Sequence, residues 1–235
     1  MVTEGLAAPG RIYAVGDVHG HADKLRDMHK AIREDLAANP VEAPLLVHLG
    51  DYIDRGPDSA GCLALLAKGP VEGMPTVNLM GNHERMLLDA LEQPQRSRVW
   101  LQNGGAATLA SWDIGPDVAP TKWRERIPSD QLRFVEGLAL SHAASRFLFV
   151  HAGVRPGVRL AMQTAADLLW IRDAFLEWEG AMLPDAPHRI IVHGHTPATA
   201  PEVRRNRIGV DTNAGRGGVL TCAVLSADSV YFLQV

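Results

Sequence analysis

Short apolar runs recur along the chain, and several of them end in a polar loop that contains glycine. Residues 11–16 (RIYAVG) are β-branched and aromatic and end in glycine, which predicts a buried strand. Asp17-Val18-His19-Gly20 follows as a loop. From 21 to 36, Leu25, Met28, His29 and Ile32 recur at helical spacing, with Lys and Arg on the other face, which predicts an amphipathic helix. Asn39-Pro40 and Pro44 close it before a second strand at 45–49. Residues 58–68 predict a helix with Cys62, Leu65 and Leu66 on one stripe, stopped by Gly69-Pro70. A third strand is expected at 76–80, a loop at 81–84 and a helix at 85–91. Strand, glycine-containing loop and helix thus follow each other three times. This rhythm predicts an α/β fold with its loops gathered at one sheet edge, where ligands usually bind.

Residues 94–142 break the rhythm. They are rich in Trp, Pro, Gly and Arg, with helical fragments around Trp100 and at 131–138. We read them as a helical cap inserted over the loops of a single domain spanning 1–235, not as a separate domain. Strands are expected again at 147–150, 190–192, 208–210, 220–225 and 230–233, the last two as a β-hairpin about 226–229. A helix is expected at 164–177.

Composition narrows the picture. A chain of 235 residues suits one α/β domain with an insertion. A formal charge of −4 gives no broad electrostatic case for nucleic acid or an anionic membrane as partner. Cys62 and Cys222 lie among apolar neighbours without a CxxC, which predicts buried free thiols rather than a disulfide scaffold or a zinc knuckle. The first sixteen residues lack a basic segment followed by a long apolar core, and no window approaches the ~18 apolar residues of a membrane span. A reducing cytoplasm is the default expectation.

Five polar clusters follow short apolar strands: GDVHG at 16–20, GDYIDRG at 50–56, GNHE at 81–84, HAG at 151–153 and HGH at 193–195. Asp, Asn and His supply hard oxygen and borderline nitrogen donors, and no thiolate takes part. That inventory suits Mn²⁺, Fe or Zn²⁺ and argues against Cu(I) or an iron–sulfur cluster. Two adjacent dications need a shared anionic ligand. A pair about 3.5–4 Å apart clamps a phosphoryl group and activates water.

The series GDxHG, GDxxDRG, GNHE, HAG and HGHTP, in this order, resembles the phosphoprotein phosphatases, two-metal enzymes of the calcineurin-like metallophosphoesterase type, and their bacterial and phage branch in particular. Any one motif is weak; the ordered series, spanning Gly16 to about His195, is specific. The resemblance implies a metallophosphoesterase β-sandwich, two mixed sheets flanked by helices. It implies two divalent metal ions, Mn²⁺ first, with Fe or Zn²⁺ also suited. Asp17 and His19 would bind the first metal, Asp51 would bridge, and Asn82, His151 and His193 would complete the second. Arg55 would hold phosphate oxygens through parallel N–H donors, with Arg172 of LLWIRDAF as a second phosphate-binding arginine. His83 would be the general acid and Asp54 would orient it.

Other residues near these motifs are given plainer roles. His195 is expected to order its loop rather than ligate, and Asp211 to bond to nearby amides. The segment WLQNGG, with Trp100, Asn103, Gly104 and Gly105, resembles one found in bacterial members, but reads as a helix end with a glycine cap and not as catalytic. Asn213 stands where relatives usually carry Gly in a DTGA-like turn; Asn tolerates the left-handed conformation.

The function implied is serine/threonine phosphoprotein or phosphopeptide hydrolysis by direct attack of a metal-bridging hydroxide, with no phosphoenzyme. The alternative is symmetrical hydrolysis of diadenosine tetraphosphate or another dinucleoside polyphosphate, set by the insertion and the 155–167 region. Trp100, Trp112 and Trp123 would then either stack adenines or fill the core, and core is the favoured reading. A scaffold that has kept the fold and lost activity is disfavoured, because the acid and all six ligands are present.

Overall fold

The computed structural model describes residues 9–69 and 71–235. The reading of the first eight residues, and the Pro70 part of the expected helix stop, lie outside the described residues. In chain order the elements are β1 (Arg11–Val15), α1 (Ala22–Ala38), β2 (Pro44–His48), α2 (Ser59–Ala67), β3 (Thr76–Asn78) and α3 (Asn82–Glu92). Next come α4 (Ser97–Trp100), a kinked segment (Leu101–Gly105) broken at the non-helical Gly104, α5 (Ala106–Ser111), α6 (Trp123–Arg126) and α7 (Ser129–Glu136). The chain continues through β4 (Ser141–Ala144), β5 (Phe147–Val150), α8 (Ala165–Trp170), α9 (Asp173–Leu176) and β6 (Ile190–His193). It ends with β7 (Glu202–Val203), β8 (Arg207–Gly209), β9 (Thr221–Leu225) and β10 (Val230–Gln234).

Among the described residues the strands form two five-stranded sheets, ordered β10-β9-β1-β2-β3 and β4-β5-β6-β8-β7. Both are mixed. β1, β2 and β3 run parallel, as do β5, β6 and β8, and antiparallel strands close the edges. Period-two alternation sorts the core into three layers. Ile12, Ala14, Val47, Phe149 and Val192 fill the space between the sheets. Tyr13, Val15 and Leu46 face outward to α1, α2 and α3. On the second sheet, Leu148, Val150 and Ile191 face outward to Leu168 and Phe175 of α8 and α9.

The segment between α3 and β4 belongs to the first outer layer. Trp100, Leu109, Trp112, Trp123 and Val135 share one core cluster with Tyr13 and Val15. Trp100 and Trp123 pack edge to face at 5.5 Å, and Trp112 donates to Gln131 Oε1 at 2.7 Å. These three indoles are buried in the core.

Three expectations shift. The helix expected at 164–177 is two short helices, because Ile171 turns extended (φ −60°, ψ 142°) before Arg172 starts α9. α3 starts at Asn82, so GNHE is its first turn. β4 and β7 were not expected; one (Ser-His-Ala-Ala) lacks large apolar residues and the other has two residues. Cys62 and Cys222 are buried free thiols, as expected. No helix among the described residues is long and apolar enough to cross a membrane.

Candidate active site

The polar clusters follow the C-terminal ends of the parallel strands of both sheets, so the sandwich gathers them at one edge. The loop after β2 carries an unusual backbone. Asp51 (φ 54°), Asp54 (φ 73°) and Arg55 (φ 70°) are all left-handed. Such positions cost about 1–3 kcal/mol each for residues with a Cβ and persist only where their surroundings fix them. Glu84 supplies that fixing. Its buried carboxylate accepts the backbone N–H groups of Asp51 at 2.9 Å, Tyr52 at 2.8 Å, Ile53 at 3.2 Å and Gly81 at 2.9 Å. A Cβ at Gly81 would collide with the Asp51 carboxylate, so only glycine lets α3 approach.

Asp51 stands at the centre. Its Oδ2 is 3.5 Å from His19 Nε2 and 3.9 Å from His83 Nε2, and its Oδ1 is 3.4 Å from His151 Nε2. Asn82 Oδ1 meets His151 Nε2 at 2.9 Å and His195 Nδ1 at 2.8 Å. The groups His19–Asp51–His83 and Asp51–His151–His195 therefore share one carboxylate. His19 Nδ1 donates to Ile53 O at 3.0 Å and His151 Nδ1 to Leu49 O at 2.9 Å. A carbonyl only accepts, so each bond fixes the tautomer and turns the Nε2 lone pair toward Asp51. Burial pushes His19 down to about 3 and His195 to about 2, which leaves neutral rings able to ligate.

The donor set fits divalent metal ions. His195 Nε2 is buried without a hydrogen-bond partner. Asp17 is held well above the usual carboxylate range by burial and by the charges of Asp211 and Asp51. Facing carboxylates of this kind are relieved by a nearby cation. Asp17 lies outside both groups but beside them, its two oxygens accepting the His195 N–H at 3.3 and 3.0 Å.

The structure does not bring His193 into either group, although its Nε2, like that of His195, is buried without a hydrogen-bond partner. In β6, Val192 faces the inter-sheet core, whereas His193 shares the outward face of Ile191. Its ring packs edge-on against Phe175 at 4.9 Å, and its Nδ1 donates to Gly194 O at 3.0 Å. The side chain that meets Asn82, and that groups with Asp51 and His151, belongs to His195, which sits two residues later in a left-handed turn (φ 66°).

The remaining expected residues fall around this cluster. His83 Nδ1 donates to Asp54 Oδ2 at 2.6 Å. Burial opposes a charge on His83, but Asp51 and Asp54 outweigh it and lift its pKa above the ordinary value. Arg55 places Nη1 2.5 Å from His19 Nε2 and Nη2 3.0 Å from His83 Nε2. Arg172 is exposed and reaches Thr196 Oγ1 at 3.4 Å. Asn213, standing where relatives usually carry Gly, takes the left-handed conformation (φ 67°, ψ 33°). Asp211 accepts the Asn213 N–H at 2.9 Å.

Two grooves open beside the cluster. One, of about 260 Å³, is lined by Met86, Arg96, Val99, Trp100 and Trp170. Trp170 is 45% exposed and meets the His195 ring edge-on at 6.2 Å. The other, of about 490 Å³, lies between Pro197–Thr199 and Thr212–Val219.

Residues 10–217 match the family model for the calcineurin-like phosphoesterases. The chain belongs to this family. It is a metallophosphoesterase, and the family implies divalent metal ions. It is 33% identical to serine/threonine-protein phosphatase 1 of Salmonella typhimurium strain LT2 over 90% of each chain. It is 30% identical to the symmetrical bis(5'-nucleosyl)-tetraphosphatase of Paracidovorax citrulli over 76% of this chain and 58% of that one. Among solved structures, a candidate diadenosine tetraphosphatase superposes with a TM-score of 0.70 over 99% of this chain and 96% of that one, at 20% identity, and so shares the fold.

Sequence reasoning passed over Glu84 and Thr108, read Trp100 only as part of a helix end or the core, and did not expect the His195 ring to face Asn82. Glu84 had a signal: a glutamate three residues after a helix N-cap commonly reaches back to backbone N–H groups. The contacts of Trp100 and Thr108 with Asp54 carried none, because Asp54 lies 46 and 54 residues earlier.

Proposed function

We propose that this metallophosphoesterase hydrolyses phosphoserine and phosphothreonine in proteins. The observation that carries the reading is the His83–Asp54 pair aimed at the Asp51 cluster with Arg55 beside it. Arg55 offers two N–H donors to the phosphoryl oxygens, and Arg172 adds positive charge at the rim. His83, held at Nδ1 by Asp54, gives its Nε2 proton to the departing serine or threonine oxygen, the atom that most needs one. Asp17, His19, Asp51, Asn82, His151 and His195 would hold two metal ions with Asp51 in common, Mn²⁺ being the first choice for such O/N donors. Bound there, the ions supply Lewis-acid activation of water and neutralise phosphoryl charge.

The protein substrate is favoured by the two open grooves, which suit an extended segment, and by the 33% relative, matched over 90% of both chains. Dinucleoside polyphosphates are the second reading, favoured by the exposed Trp170 beside His195, a face on which a base could stack. Measuring kcat/KM for a phosphoserine peptide beside diadenosine tetraphosphate tests the choice. A higher value for the peptide is expected; a large preference for the dinucleotide would overturn it.

A further inference from the structure

We infer that the inserted segment is a bracket for the acid pair: Trp100 and Thr108 are positioning residues that hold Asp54 against His83, and Gly104 seats Arg55 beside them. The inference rests on the role proposed for His83.

Asp54 is fully buried and receives three side-chain donors on its two oxygens. His83 Nδ1 binds Oδ2 at 2.6 Å. Thr108 Oγ1 donates to Oδ1 at 2.6 Å. The Trp100 indole N–H straddles both oxygens at 3.1 and 2.9 Å. The backbone is held as well: Asp54 N–H reaches Thr108 Oγ1 at 2.9 Å and Ser59 Oγ at 3.1 Å, and the two hydroxyls lie 3.0 Å apart. Thr108 therefore grips both the carboxylate and the amide of one residue. A buried carboxylate with every lone-pair direction engaged cannot swing away from His83, and an ionised one is tolerated only with such donors.

The insertion is shaped to deliver these groups. Gly104 is left-handed (φ 110°), its carbonyl accepts the Arg55 N–H at 3.4 Å, and a Cβ there would lie 2.7 Å from Arg55 N. A Cβ at Gly105 would meet the Trp100 ring at 2.5 Å. The kink at Gly104 (φ 110°, ψ 3°), between Trp100 and α5, brings both glycines and Trp100 to the back of the loop after β2. A tryptophan that merely filled the core would satisfy its N–H on any carbonyl, as Trp123 does on Val118 O at 2.9 Å. Trp100 and Thr108 instead spend their donors on the one carboxylate that touches the proposed acid.

General-acid loss weighs on poor leaving groups, so the comparison of substrates isolates positioning from folding. Trp100→Phe, Thr108→Val and Thr108→Ser are assayed as Mn²⁺-loaded proteins, beside His83→Asn, on a phosphoserine peptide and on p-nitrophenyl phosphate. Trp100→Phe and Thr108→Val are expected to lower kcat for the peptide ~10-fold more than for the aryl ester, within the range seen for supporting residues, and Thr108→Ser to restore the wild-type ratio. The downfield proton NMR signal of the His83 Nδ1–H, absent in His83→Asn, is expected to move in Trp100→Phe and Thr108→Val. Equal losses on both substrates with an unmoved signal, while His83→Asn discriminates between them, would overturn the bracket alone. No discrimination in His83→Asn would overturn the role of His83 and the bracket with it.

Discussion

Glu84 Oε2 lies 2.9 Å from the backbone nitrogen of Asp51 and an equal 2.9 Å from that of Gly81, so one carboxylate ties the loop after β2 to the start of α3. Asp51 sits in a left-handed conformation that its own side chain disfavours, and Glu84 fixes it by holding the next two amides as well. Burial and the Asp51 charge lift the Glu84 pKa to about 7, so this carboxylate is costly to keep. Glu84→Gln keeps the shape but turns an N–H₂ toward backbone donors. It is expected to weaken metal binding and activity ~10–100-fold, as loss of supporting hydrogen bonds does, and to lower the melting temperature. Mn²⁺ titration followed by calorimetry and a melting curve check both. Wild-type affinity in the variant would remove Glu84 from the positioning of Asp51.

The two histidines of HGH should separate cleanly. His195 groups with Asp51 and His151, whereas His193 packs on Phe175. His195→Asn is expected to lower the bound metal by about one ion per chain, given two ions in such a centre, and to abolish most of the turnover. His193→Asn is expected to keep the metal and lose stability, since it leaves a gap beside Phe175. Metal analysis of the purified variants decides. Loss of metal in His193→Asn with retention in His195→Asn would reverse the assignment.

Hydrophobic alternation made most of the fold legible, whereas the ligand assignments came from the resemblance of the motifs. Ile12, Ala14, Val47 and Phe149 announced strands because each needed burial, and the outward Tyr13, Val15 and Leu148 announced a second covering layer. The site was legible as a set of motifs because glycine and ligand residues must sit next to each other in sequence at a tight turn. Which histidine of HGH points inward was not legible, since it depends on where β6 stops: the strand runs through His193, and only the left-handed turn at His195 returns a ring to Asn82. The grip of Trp100 and Thr108 on Asp54 was invisible for a different reason. It joins positions separated by 46 and 54 residues, and no local propensity marks such a contact. β4 escaped notice because Ser141, His142, Ala143 and Ala144 lack the apolar alternation of a strand, although they pair with β5 along its whole length.

For the general-acid role proposed for His83, its removal should show in turnover rather than in binding. Its Nδ1 is engaged by Asp54 and its Nε2 faces Arg55 and Asp51. His83→Asn is expected to cut kcat by roughly 10²–10⁴-fold, the range for losing a general acid, with metal content held. Unchanged turnover on a phosphoserine peptide would sink the role.

Away from the site, a buried histidine pair should set the acid limit of the fold. His29 Nε2 of α1 meets His48 Nε2 of β2 at 2.9 Å, and His48 Nδ1 meets Asn78 Oδ1 at 2.8 Å. One proton serves the Nε2–Nε2 contact, and burial opposes a further proton on either ring. Burial pushes His29 down to about 4, with Arg33 adding to the effect, and holds His48 well below its ordinary value. Above the unfolded pKa of ~6.5 both states are neutral and the pair costs nothing. As pH falls below that value the unfolded chain binds protons that the folded chain refuses. Stability then drops by about 1.4 kcal/mol per pH unit for each ring, down to about pH 4 for His29. His29→Leu removes one of the two titrations. Denaturant midpoints at pH 7 and pH 5 are expected to differ less in His29→Leu than in the wild type, and equal differences would show that the pair does not govern acid unfolding.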